Sequence, residues 1–330
     1  MVLISISFYG SFAYDLERTD FIKLITLSLG LFFLCYKIIQ FEKWNFKFIL
    51  VAGILFRLVF FMILPNLSQD FYRFIWDGEL VAHGFNPYIF TPNELITQGN
   101  LVIANAQELH LGMGELSAKH FSNYPPLNQF LFAVASMLGG KSILGSIIAM
   151  RVIIISADLG ILYFGIKLLK HLNKSSYLIF WYFLNPLVII ELTGNLHFEG
   201  VMLFFFLVSI YFIAKKKWQW GSIFYAFAIL TKLVPLLFLP LFLKYFGLKR
   251  SMIFYSLIGA VIISFILPFF TIDFIAHYSA TLGLWFSNFE FNASNYNIIK
   301  SIGKQLDVPA YEMIKIFGKI IPFIIVILVL

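Results

Sequence analysis

Charge is what this chain has least of. Only 12% of its 330 residues are Asp, Glu, Lys or Arg, against about 25% in soluble domains. A single cysteine, Cys35, excludes a disulfide framework and a thiolate zinc site. The six histidines are scattered without a His-x-x-x-His spacing, so no metal or other cofactor is expected. No internal repeat and no low-complexity linker interrupts the chain. The apolar runs lack the two-residue alternation of a membrane barrel. What remains is apolar: 60% of residues are hydrophobic and the mean hydropathy is +0.88. Runs near 20 residues long belong in a bilayer, where backbone groups pair within their own segment. The expectation is an all-α, multi-pass membrane protein of about eight to ten spanning helices.

A net charge of +7 invites a nucleic-acid partner, but its distribution excludes one. Lys and Arg concentrate in "FEKWNFK" (41–47), "KLLKHLNK" (167–174), "KKKWQW" (215–220) and "KYFGLKR" (244–250), where Glu42 is the only acid. Short basic loops mark the cytoplasmic side. Residues 2–13 lack a preceding basic residue, so they read as a short first span rather than a signal peptide. Further spans are expected at 21–40, 46–65, 143–166, 177–193, 198–214 and 251–270. A last one runs from about 313 to 330 and is expected to be incomplete, since the chain ends inside an apolar run.

Two segments fit poorly as spans. "PPLNQFLFAVASMLGG" (125–140) is short and reads as a partly inserted or surface helix. "SIFYAFAILTKLVPLLFLPLFL" (222–243) holds Pro235 and Pro240, which break a helix. It reads as a hairpin of two half-helices with Lys232 near the tip, a feature that lines cavities. Two long segments, 66–124 and 271–311, then face outward with turns at 14–20 and 193–200, forming a lid over one membrane domain of residues 1–330.

In "LSQDFYRFIWDGELVAHGFNPY" (67–88), Ser68 can cap a helix that Gly84 and Asn86-Pro87 would stop. Asp70, Arg73 and Asp77 share one face of it, while Phe71, Phe74 and Ile75 share another. The pattern is that of an amphipathic helix lying at the outer interface. Five more charges, Arg57, Arg151, Asp158, Glu191 and Lys232, fall in or beside spans. Each costs at least about 2.5–3.5 kcal/mol there, so partners or a hydrated cavity are required. Taken one at a time, helix-to-helix pairing is the expected role; taken as a set, they point to a polar cavity opening outward.

"DFYRFIWDGELVAHGFNPY", "NYPPLNQFLF", "LNPLVIIELTGNLHFEG" and "LTKLVPLLFLP", in that order, resemble the integral-membrane glycosyltransferases of GT-C fold. The likeness is to bacterial mannosyltransferase-like proteins using polyprenyl-phosphate sugars, and more weakly to the catalytic subunit of the first mannosyltransferase of GPI-anchor assembly. Many of these carry two acids where this chain has Gln69-Asp70, which leaves Asp70 as the single base there. The resemblance implies transfer of a hexose, mannose first, from a polyprenyl-phosphate donor to a lipid- or envelope-linked glycan, with inversion. It implies a bacterial inner membrane with the site extracytoplasmic. A phosphate leaving group needs no general acid, so one base and some cations suffice. Asp70 is the expected base, and Arg73, Lys232 and Arg151 are the expected phosphate holders. Asp77, His83, Tyr124, Asn195, His197, Glu199, Glu290 and Asn292 are the expected substrate contacts. A multi-pass transporter or flippase, which also uses buried charges and broken helices, and a structural subunit of an envelope complex are the rival readings.

Overall fold

The computed structural model describes residues 1–99, 102–288, 293–305 and 309–329. Among them the fold is entirely helical. Chain order runs α1 (Val2–Tyr14), α2 (Phe21–Glu42), α3 (Phe46–Leu58), α4 (Asp70–Ala82), α5 (Pro92–Gln98), α6 (Ala106–Ala118), α7 (Pro126–Gly139) and α8 (Ile143–His171). A broken stretch with α9 (Phe180–Phe183) and α10 (Pro186–Val188) follows. Then come α11 (Glu199–Ala214), α12 (Trp218–Thr231), α13 (Leu241–Phe246), α14 (Leu248–Ile266), α15 (Ile272–Asn288), α16 (Ala293–Gln305) and α17 (Ala310–Val329).

Local chemistry sets the starts. Asp20, Asn45 and Ser142 accept from the backbone N–H groups of Lys23, Phe48 and Gly145, capping α2, α3 and α8. Among the described residues three helices are long and apolar enough to cross a bilayer alone: Phe21–Glu42, Ile143–His171 and Leu248–Phe269. The pair Ser176–Phe183 and Pro186–Gly194, bent by 50° at Asn185-Pro186, is a fourth candidate. Val2–Tyr14, Pro126–Gly139 and Glu199–Ala214 are apolar but shorter. By length and composition the described residues thus hold fewer spans than the runs suggested, because several runs break. The 46–65 run stops being helical at Leu58, where the chain turns so that the Phe61 and Ile63 carbonyls accept from Arg151 Nη1. The 222–243 run breaks as expected: α12 ends at Thr231, Lys232 is extended, and a 3-10 turn at Val234–Phe238 carries Pro235.

Chain reversals sort the molecule into two ends. Lys43 and Trp44 meet Tyr177, His171 donates to the Ala214 carbonyl, and Trp218 packs on Phe246. All four basic loops are therefore gathered at one end. Thr193, His197 and Lys232, at the other termini of the bent pair, α11 and α12, mark the opposite end.

The helix from Asp70 does not lie on a surface, which corrects the interfacial reading. Phe71, Arg73, Phe74, Ile75, Trp76, Asp77, Gly78, Glu79 and Leu80 are all buried. The partners of α4 are α6, α7 and α8, which share one core with it. Contact with α7 is so close at Gly78 that a β-carbon there would lie 2.5 Å from the Phe132 carbonyl oxygen. The second outer segment docks over this layer. Asn86 donates to the Phe269 carbonyl at 2.8 Å, and Tyr88 packs edge-on against Phe269, Phe274 and Tyr278.

Candidate active site

The intramembrane charges divide into two groups. Arg57 and Asp158 are fully buried and paired, Nε to Oδ2 at 2.8 Å. Tyr182 donates to the other carboxylate oxygen, and Arg57 Nη1 donates to the Gly53 and Phe183 carbonyls. This is a helix-to-helix lock. Arg151 is also fully buried, donating to the carbonyls of Thr193, Gly194, Phe61 and Ile63. It ties the bent pair to the chain after α3 and, among the described residues, does not line the polar cavity that holds Lys232, so its expected phosphate role is corrected to a structural one. Thr193 and Gly194 expose carbonyls to it because the helix loosens there to wide π-type turns.

Glu191 and Lys232 belong to the second group, which faces a polar cavity of about 670 Å³ at the end opposite the basic loops. Five pieces of chain build it: the turn before α2 with the start of that helix, the start of α4, the segment from Met113 to Tyr124, the tip at Glu191–His197, and Lys232. Asp70 opens α4, its backbone N–H held by the Ser68 hydroxyl at 3.3 Å. Its carboxylate lines the cavity and makes no hydrogen bond or ion pair among the described residues. One turn on, Arg73 also lines the cavity, but its Nε is committed to Asp77 Oδ1 at 2.7 Å. Arg73 Nη1 donates to the Ser117 and His120 carbonyls, stapling that loop, while Nη2 is buried without a partner among the described residues.

Asp77 is fully buried behind Arg73, and its second oxygen accepts from Ser122 at 2.6 Å and Gln129 at 3.1 Å. It cannot touch a substrate; it positions Arg73. His83 is corrected too. At the far end of α4 its Nδ1 donates to the Glu79 carbonyl, away from the cavity.

The opposite wall holds two linked ion pairs. Lys232 Nζ sits 3.0 Å from Glu199 Oε1 and 5.6 Å from the centre of the Tyr124 ring. His197 Nδ1 lies 3.3 Å from Glu191 Oε2, which also accepts from Asn195 Nδ2 at 3.1 Å. Burial disfavours charge on His197, but the Glu191 hydrogen bond and the nearby Glu199 and Asp70 carboxylates outweigh it. The result is a ring held above the ordinary histidine pKa. Tyr124, Asn195, His197 and Lys232 thus join Asp70 and Arg73 in one chamber, with Glu199 bound to Lys232. Glu290 and Asn292 lie outside the described residues.

Sequence reasoning missed Arg18 and Gln69 as cavity residues, and had counted Glu191 among the charges that together point to an outward cavity without giving it a contact there. Gln69 holds the neighbouring loop in place. Its Nε2 donates to the Met113 carbonyl at 3.2 Å, which is freed by the kink at Gly114 (φ 75°). A carboxylate has no proton for that bond. Among the described residues no three Asp, Glu, His or Cys are grouped to hold a metal.

In this all-helical membrane protein the helix tips thus enclose a polar cavity lined by one uncommitted carboxylate and several cations. Sequence comparison supplies the kinship. Residues 12–246 match the family described as alpha-(1->6)-mannopyranosyltransferase, N-terminal domain, and the chain belongs to that family. Similar proteins include alpha-(1->6)-mannopyranosyltransferase B of Corynebacterium glutamicum, 30% identical over 44% of this chain and 23% of that protein. Alpha-(1->6)-mannopyranosyltransferase A of the same organism is 21% identical over 60% of this chain and 40% of that protein. The chain spans less than half the length of either relative. No solved structure matches it.

Proposed function

We propose that this chain is a membrane mannosyltransferase that moves the sugar of a polyprenyl-phosphate donor onto a lipid- or envelope-linked glycan. Its cavity opens on the extracytoplasmic side of a bacterial inner membrane. It works as one membrane domain, with no metal or other cofactor. The names of its relatives support the sugar. The side is supported by the gathering of the basic loops at the end away from the cavity, since such loops stay cytoplasmic. Sugar nucleotides are made in the cytosol, so a cavity on the other side needs a donor carried by the membrane.

One observation carries the reading. Asp70 presents an unpaired carboxylate to a cavity that also holds Arg73 and Lys232. In the proposed step Asp70 takes the proton of an acceptor hydroxyl as its oxygen bonds to the anomeric carbon. The bond from that carbon to the phosphate oxygen breaks on the opposite face, so the centre inverts. The electron pair leaves on polyprenyl phosphate, whose charge is met directly by Lys232 as it exchanges Glu199 for phosphate, with the Arg73 guanidinium adding its positive field from the cavity wall. Tyr124, Asn195, His197 and Glu199 are placed to contact the sugar or acceptor. A leaving phosphate needs cations rather than a proton, which is why no metal is invoked. Membership of a transferase family favours this over the transporter reading.

The test is sugar transfer by the purified chain in nanodiscs, from a synthetic polyprenyl-phosphate mannose to an extracted glycolipid acceptor. Transfer by wild type and its loss in Asp70→Asn is expected. Wild type that consumes no polyprenyl-phosphate donor would sink the proposal.

A further inference from the structure

Among the described residues three Lys or Arg side chains line the cavity, and only one of them has no anionic partner. Arg73 is paired with Asp77 and Lys232 with Glu199. Arg18 is exposed, lines the same chamber as Asp70, and forms no ion pair or hydrogen bond among the described residues. It stands in the turn between α1 and α2, and that turn is fixed from several sides. Asn66 Nδ2 donates to the Phe12 and Leu16 carbonyls at 2.8 Å each. Lys23 Nζ donates to the Asp15 carbonyl at 2.9 Å, and Asp20 caps the helix that follows. The backbone under Arg18 is built, while its side chain is uncommitted.

Its setting is equally specific. Immediately after it, Phe21 and Ile22 are 68% and 80% exposed at the start of a helix apolar enough to span. Facing the cavity beside it stand Leu24 and Leu67, with Asp70 beyond. Arg18 therefore marks the seam where lipid-facing helix meets polar chamber. It also stands at the end of the molecule from which the charge bias removes cations. A lipid-linked anionic sugar must place its phosphate at such a seam, with its tail in the bilayer and its sugar in the cavity. Guanidinium grips phosphate oxygens two at a time.

We propose that Arg18 anchors the phosphate of the lipid-linked donor at the mouth of the cavity. The inference rests on the donor class proposed above and adds the residue that docks it. Arg73 and Lys232 then act deeper, on the charge that develops as the bond breaks.

The experiment measures KM, kcat and direct binding of polyprenyl-phosphate mannose by the full chain in phosphatidylcholine nanodiscs. Arg18→Ala should fold normally, because the side chain is exposed and makes no hydrogen bond or ion pair among the described residues. It should raise KM and Kd about ten- to a hundredfold, the worth of one charged hydrogen-bonding contact, with kcat within about twofold. Arg18→Lys, which keeps the charge but loses the fork, should recover part of the loss. A second arm adds anionic phospholipid. If Arg18→Ala alters only the dependence on that lipid, Arg18 binds bulk headgroups and the anchor is refuted. If wild type binds and uses the donor and Arg18→Ala matches it, the anchor alone fails. If wild type neither binds nor uses the donor, the functional reading fails and takes the anchor with it.

Discussion

Asp77 and Asp70 share one face of α4 but should respond oppositely to the same substitution. Asp77 is fully buried, with Arg73 Nε at 2.7 Å, Ser122 Oγ at 2.6 Å and Gln129 Nε2 at 3.1 Å. Asp77→Asn keeps the shape but removes the counter-charge of a guanidinium that is only 4% exposed. If the amide oxygen keeps Arg73, the amide nitrogen turns a donor toward Gln129 Nε2, itself a donor. Stripping one partner from a buried ion pair costs about 3–5 kcal/mol. Asp70 makes no side-chain hydrogen bond or ion pair among the described residues, and substitutions of such groups stay within about ±0.5 kcal/mol. Its loss as a base should instead lower turnover about 10²–10⁴-fold. Thermal unfolding of both purified variants, with sugar transfer measured beside it, reads the two effects separately. The expectation is an unstable Asp77→Asn and a stable, inactive Asp70→Asn. Equal stability of the two would refute the buried network. Near-wild-type turnover in Asp70→Asn would refute the base and move the search to Glu199 and Glu290.

Gly78→Ala should destabilise by about 1–3 kcal/mol through overpacking, since the added carbon meets the Phe132 backbone oxygen and Ser136 Oγ at 2.5 and 2.6 Å. Unchanged thermal unfolding would mean that α4 and α7 pack more loosely. His197 is held above its ordinary pKa of about 6.5, so its charge is complete below that value and is lost as pH rises through the raised one. Its contribution to stability has the same sign, full at low pH and fading on the alkaline side. Donor binding should weaken along that limb, and His197→Gln should remove the limb from the pH profile; a limb that persists belongs to another group. In a Cys35-free background, cysteines at positions 216 and 105 should be labelled from the cytoplasmic and the outer side respectively. Outside labelling at 216 overturns the orientation.

Composition and run length alone determined that this is an all-helical membrane protein, because lipid leaves a backbone no other economical way to satisfy its amides. The break at Lys232 is local in the chain and was legible from Pro235 and Pro240. Motif order pointed to the family, and Asp70, Arg73, Tyr124, Asn195, His197 and Lys232 do share one cavity. Tertiary structure decided the rest, because it depends on which side chains from distant segments meet. Spacing of three and four put Asp70, Arg73 and Asp77 on one face, but only the packing of α6, α7 and α8 around α4 left the first open and sealed the last. Arg151 and Lys232 are both cations that meet broken segments of helix, Arg151 from within α8 and Lys232 at the end of α12. One is surrounded by carbonyls from residues 61, 63, 193 and 194, while the other meets a carboxylate in an open chamber. Arg18 carries no local signal beyond its charge, and its place beside Asp70 arises only when the turn before α2 folds against Asn66.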